Sequence, residues 1–148
     1  MSAAINPKKR ALIASLIQSP PEKIETKLDT IDQEIDSLGN LLNNLGEKMK
    51  AVGNTPEAIA PIETELVEAK TKIQDLESQQ ATIKKYLTTI NDLEKQILIK
   101  SIKRKLEKKD FFLQEFDNAS DAEIKFSLTA KIDQLDQQIK EMMEQLEI

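Results

Sequence analysis

Across residues 59–116 apolar side chains recur at alternating steps of three and four, with almost no helix breaker among them, and few folds accept such a pattern. The positions are Ile59, Ile62, Leu66, Ala69, Ile73, Leu76, Gln80, Ile83, Leu87, Ile90, Glu94 and Ile97, the a and d places of a heptad repeat. One uninterrupted central helix is the direct reading. At ~60 residues it runs on the order of 90 Å, longer than any compact core that 148 residues can supply. Such a seam has to be covered lengthwise by other helices, from the same chain or from a second copy. Gln80 and Glu94 occupy a positions, where a polar group lowers stability and can fix register or partner number. The plainer alternative is that both face solvent from a loosely covered seam. Past Ile97 the phase slips, with Leu98, Ile102 and Leu106 at four-residue steps, which unwinds a left-handed supercoil locally.

Two more heptad stretches flank the central one. Ser19-Pro20-Pro21-Glu22 fits a capping box. After it, Ile24, Leu28, Ile31, Ile35, Leu38, Leu42, Leu45, Met49 and Val52 alternate without an error. Gly39, Gly46 and Gly53 follow these positions at intervals of seven. Gly53-Asn54 is a helix C-terminal signal, whereas Gly39 and Gly46 mark either close backbone packing or merely a soft stretch of helix. Thr55-Pro56 starts the next helix, and Pro61 implies a bend or a separate first turn. A second capping box, Ser120-Asp121-Ala122-Glu123, opens a last helix striped by Ile124, Leu128, Ile132, Leu135, Ile139, Met142 and Leu146.

The expected fold is therefore all-α: an elongated antiparallel coiled coil or helical bundle with helices at about 20–52, 56–117 and 120–148. The short linkers fold each flanking helix back along the central one. A basic arm with a short helix, residues 1–19, precedes this 20–148 domain. Asn6-Pro7 is its helix start, and Leu12, Ile13, Leu16 and Ile17 share one side.

Composition removes most chemistry. Charged residues make up 32% and aromatics 3% of the chain, the profile of long helices more than of a globular enzyme. Histidine and cysteine are absent, which excludes an imidazole base, a Ser-His-Asp triad, thiolate chemistry and disulfides. The three glycines form no phosphate-cradling loop. No catalytic, cofactor-binding or metal-ligating residue is expected, and no cofactor. No apolar run reaches the roughly 20 residues that span a bilayer, and no signal peptide stands out, so a cytoplasmic location or a soluble assembly is expected.

Charge is unevenly spread. Lys8, Lys9 and Arg10 stand in the first turn of a helix, where the dipole favours anions, and are candidates for contact with a protein groove, an anionic membrane surface or a phosphate backbone; the plainer alternative is a mobile arm or a short helix that caps one end of the bundle. A second basic run comprises Lys100, Lys103, Arg104, Lys105, Lys108 and Lys109, with Phe111 and Phe112 beside it; its plainer reading is neutralisation within the hairpin by the acidic last helix. The first half of the central helix is acidic and the second basic, which favours a homo-oligomer, specifically an antiparallel dimer, seamed by Ile73, Leu76, Gln80, Ile83, Leu87 and Ile90. The function expected is that of a non-catalytic structural or assembly protein: a scaffold, spacer or adaptor acting by coiled-coil contact with itself or another protein. A nucleic-acid-associated protein using residues 8–10 and 100–109 is the alternative, set back by the net charge of −5. A small helical inhibitor or chaperone is a third.

Overall fold

A computed structural model describes residues 6–148; the first five residues of the expected basic arm lie outside that range. Among the described residues the structure is built from helices alone, five in number. These are α1 (Pro7–Ile17), α2 (Pro21–Val52), α3 (Pro56–Thr89), α4 (Leu93–Asn118) and α5 (Ala122–Leu146).

The single central helix is overturned. It is divided into α3 and α4 by a turn at Ile90, Asn91 and Asp92. Local chemistry explains the break. The Thr88 and Thr89 hydroxyls donate to the Lys84 and Lys85 carbonyls, at 3.1 and 2.8 Å, but Thr26, Thr64 and Thr71 do the same within unbroken helices, so the stop lies in the residues that follow. Asp92 then caps α4, its Oδ1 accepting from the Glu94 and Lys95 amides at 2.9 and 3.5 Å. The Gln96 side-chain amide reaches back to the Ile90 carbonyl at 2.6 Å, occupying an acceptor that the ended helix leaves open. The Asn-Asp pair was the sequence signal, and the unbroken apolar alternation masked it.

The other boundaries follow the sequence with small shifts. Asn6 caps α1, its side chain accepting from the Lys9 amide at 2.8 Å. Ser19 does not cap α2; its hydroxyl instead donates to the Ser15 carbonyl at 2.6 Å and closes α1. Asp121, not Ser120, caps α5, accepting from the Glu123 amide at 2.8 Å. Gly53 ends α2 in the left-handed region, with φ +65°, where a Cβ would be strained. Pro61 lies within a continuous α3, so the separate first turn does not form.

The chain divides into two units. The first combines the N-terminal segment through Pro20 with Thr82–Ile148, and α1 packs there on both α4 and α5. Its core is closed. Ile13, Leu16, Ile83, Ile102, Met143 and Leu146 are at most 2% exposed. On α5 the buried stripe is Leu128, Ile132, Leu135, Ile139, Met143 and Leu146, so Met143 takes the place expected of Met142. Ile124 is 52% exposed and falls off it. Ile97 is 71% exposed, because the restart at Asp92 re-phases α4 onto Leu98, Ile102 and Leu106.

The second unit is Pro21–Ala81. Its heptad residues are mostly half-buried: Ile24, Ile31, Leu45 and Ala69 are covered, while Leu38, Leu42, Leu66, Ile73 and Leu76 keep part of their surface. The Gln80 amide donates to Asp32 Oδ1, so this polar a position is half-buried and paired. Gly39 and Gly46 have nothing within 4 Å of where a Cβ would stand. Within this chain they are a soft stretch, not a close approach.

A candidate cationic groove on α4 and α5

α4 and α5 meet along their length. Lys95 Nζ donates to the Gln145 carbonyl at 2.6 Å, Lys105 Nζ to Gln138 Oε1 at 2.9 Å, and Lys109 pairs with Asp136 at 2.6 Å. The apolar residues at the centre of this contact force the lysines to its two sides, and the two sides differ in charge.

On one side a crevice of about 480 Å³ is lined in part by Arg10, Lys109 and Lys140 together with Asp133 and Asp136. Three cations share it with two carboxylates. Arg10 thus joins a mixed-charge surface and does not extend a basic arm. Ile13, Leu16 and Ile17 are buried in the core of the same unit, so the apolar side of α1 is not available as an anchor for a partner. Lys8 is exposed and Lys9 half-buried.

On the other side lies a groove of about 640 Å³, lined by Ser101, Arg104, Lys105, Lys108 and Phe112 of α4 and by Lys131, Gln134, Leu135 and Gln138 of α5. The α4 residues stand at i, i+3, i+4, i+7 and i+11, and the α5 residues at i, i+3, i+4 and i+7, one stripe on each helix. Leu135 is 6% exposed and forms an apolar floor. Lys108 and Lys131 lie 6.0 and 5.5 Å from the Phe112 ring centre, within cation–π range. No carboxylate is among the lining residues. Four cations therefore share a part-enclosed space with only neutral amides, a hydroxyl and a phenyl ring, and their field is weakly opposed locally.

The structure thus sorts the expected basic residues. Arg104, Lys105 and Lys108 are brought together; Lys109 is drawn to the opposite side by Asp136; Lys100 and Lys103 are exposed and line neither space. Sequence reasoning missed Lys131, which lies in an acidic helix, and its i, i+3, i+4, i+7 relation to Gln134, Leu135 and Gln138 was the available clue. Phe111 is 56% exposed and tilted against Phe112 at 6.0 Å. Near the end of α4 the Phe116 ring lies 5.2 Å from Lys125 Nζ of α5.

Of the expected seam, Ile83 is fully buried within its own unit, Gln80 is engaged by Asp32, and Ile90 lies in the turn after α3. Ile83 therefore has no surface to offer a second copy, whereas Gln80 and Ile90 keep part of theirs. Ile73, Leu76 and Leu87 remain half-covered. Among the described residues no group of His, Cys, Asp and Glu is arranged to hold a metal ion, and no helix is long and apolar enough to cross a membrane.

These features define an all-helical protein whose surface separates a cationic groove from a mixed-charge crevice. No protein-family model matches the chain, and neither does any curated protein sequence or solved structure.

Proposed function

We propose that this is a non-catalytic assembly protein that works by helix-to-helix contact, with α2/α3 and α4/α5 as antiparallel pairs in the manner of a coiled coil. The observation that carries the reading is the half-covered heptad row of the Pro21–Ala81 unit. A two-helix pair covers only one flank of each apolar stripe, and further helices are the usual remedy. Leu28, Ile35, Leu38, Leu42, Leu66 and Ile73 are among the residues left half-exposed. At roughly 1 kcal/mol for the uncovered half of each such side chain, the whole row offers on the order of 10 kcal/mol to a covering partner. Association costs about 4–15 kcal/mol. Apolar burial and cost are therefore of one order, and a second source of attraction decides whether assembly is tight.

The nucleic-acid reading draws on the groove cations alone. Lys8, Lys9 and Arg10 are not gathered with them, and the Phe112 ring is attended by two lysines, which leaves little of it for base stacking. Helical assembly takes precedence on these grounds.

Absolute mass by light scattering behind a sizing column tests the proposal. Self-association is expected at micromolar protein. Leu41→Gln with Val67→Gln should lower it: these side chains are 40% and 63% exposed, so helix content should persist. A chain that stays monomeric, with the same mass in the variant, removes self-assembly.

A further inference from the structure

We propose that the cationic groove of α4 and α5 receives the acidic face of α2 from a second copy of this chain. This rests on the assembly reading and supplies the second attraction that it calls for. The groove offers Arg104, Lys105, Lys108 and Lys131 with no carboxylate among its lining residues. Along α4 it extends from Ser101 to Phe112, about 16 Å at the helical rise, or three turns. Its occupant has to present carboxylates in a row of that length and tolerate an apolar floor.

The chain itself contains such a row. Glu22, Glu25, Asp29, Asp32 and Asp36 stand at i, i+3, i+7, i+10 and i+14 of α2, all within one narrow stripe of the helix surface. No lysine interrupts it. Glu22, Glu25, Asp29 and Asp36 are exposed, whereas Asp32 is turned to Gln80. The stripe borders the half-covered apolar residues Leu28 and Ile35. Over the whole Pro21–Ala81 unit, thirteen acidic residues face six basic ones, a net charge of −7. The rest of the chain, with thirteen acidic and fifteen basic residues, carries +2. Opposite charge, and a row whose part from Glu25 to Asp36 spans the same eleven residue steps as Ser101 to Phe112, argue for an acidic helix over a nucleic acid, whose bases would need a free aromatic face. In a two-fold pair each copy lends its stripe to the other's groove, so the contact is made twice.

Charge exchange provides the test. Arg104→Glu with Lys108→Glu (the groove variant) and Glu25→Lys with Asp29→Lys (the stripe variant) alter exposed positions, and circular dichroism checks that helix content is kept. Each variant alone should associate ~30-fold more weakly at low salt, the sum of a few exposed charge pairs. An equimolar mixture of the two should recover the wild-type mass, because each reversed surface then meets its complement. Raising the salt should weaken the wild type and the mixture alike.

Wild-type association that ignores salt and both variants overturns this inference and leaves the assembly proposal standing. A wild type that is monomeric at every salt concentration overturns both. Failure of the mixture to recover, with both variants folded, rejects the pairing of these two surfaces. A fluorescent single-stranded oligonucleotide serves as the competing probe: binding that the groove variant loses, with mass unchanged, assigns the groove to phosphate instead.

Discussion

The two units solve the same problem differently. Thr82–Ile148 with the N-terminal segment brings several helical segments to one interior, and its α5 stripe ends as closed core, while Ile97, Phe111, Ile124 and Phe126 stay outside it. Pro21–Ala81 has two helices, a more regular heptad pattern, and an interior that stays half open. Regularity of pattern therefore does not measure burial; the number of helices around a stripe does. A single α-helix buries at most the width of surface that its neighbours span, and two helices leave a flank on each.

The largest test of this contrast is truncation of a core residue in each unit. Ile102→Ala in the closed core should cost about 3 kcal/mol in urea unfolding, as removal of fully buried aliphatic groups does. Leu38→Ala on the half-covered row should cost roughly half as much, since less of the side chain leaves an apolar environment. Equal losses would show that the row is covered in solution, and concentration dependence of the Leu38→Ala loss would attribute the cover to another copy.

Next in size are the soft glycines. Gly39→Ala and Gly46→Ala meet open space and should each stabilise the second unit by up to about 1 kcal/mol. If either weakens self-association, the glycine serves close approach of another backbone after all, and the second unit is less open than it looks.

The Asp92 cap comes third. Asp92→Ala removes the acceptor for the Glu94 and Lys95 amides and should cost ~1 kcal/mol. The loss should appear in urea unfolding followed by circular dichroism. An unchanged midpoint would mean that the Asp92 side chain does not hold the start of α4 in solution.

The smallest effect is one of pH. Tyr86 is 5% exposed, and burial raises its phenol above the ordinary value of 10.0. The folded state therefore holds this proton more tightly than the unfolded state. Its contribution is complete below the unfolded pKa and is lost as pH rises through the folded one. Stability of the first unit should begin to fall above about pH 10, and Tyr86→Phe should flatten that fall. As Tyr86 is the single tyrosine of the chain, tyrosinate absorbance reads the titration directly.

Much of the fold was legible because helical signals are local. The three-four alternation, the Asn6-Pro7 start, Gly53 and the all-α class follow from contacts within a turn or two. Ser19 and Ser120 misled because hydroxyls and carboxylates compete for the same amides over a single residue's shift. Asn91-Asp92 was overlooked because Ile90 and Ile97 keep the heptad count across it, although the count had already lost its structural meaning there.

The sequence by itself determined which stretches are helical, where most of them stop, and that imidazole and thiol chemistry are absent. Only the tertiary structure decided that α1 is part of a core, that Gln80 answers Asp32, and that Arg104, Lys105 and Lys108 share a groove with Lys131 while Lys109 turns to Asp136. The reason is physical. Helix formation is set by neighbours within four residues, whereas the field at a side chain is set by whatever charge the packing of a distant helix brings within a few ångströms.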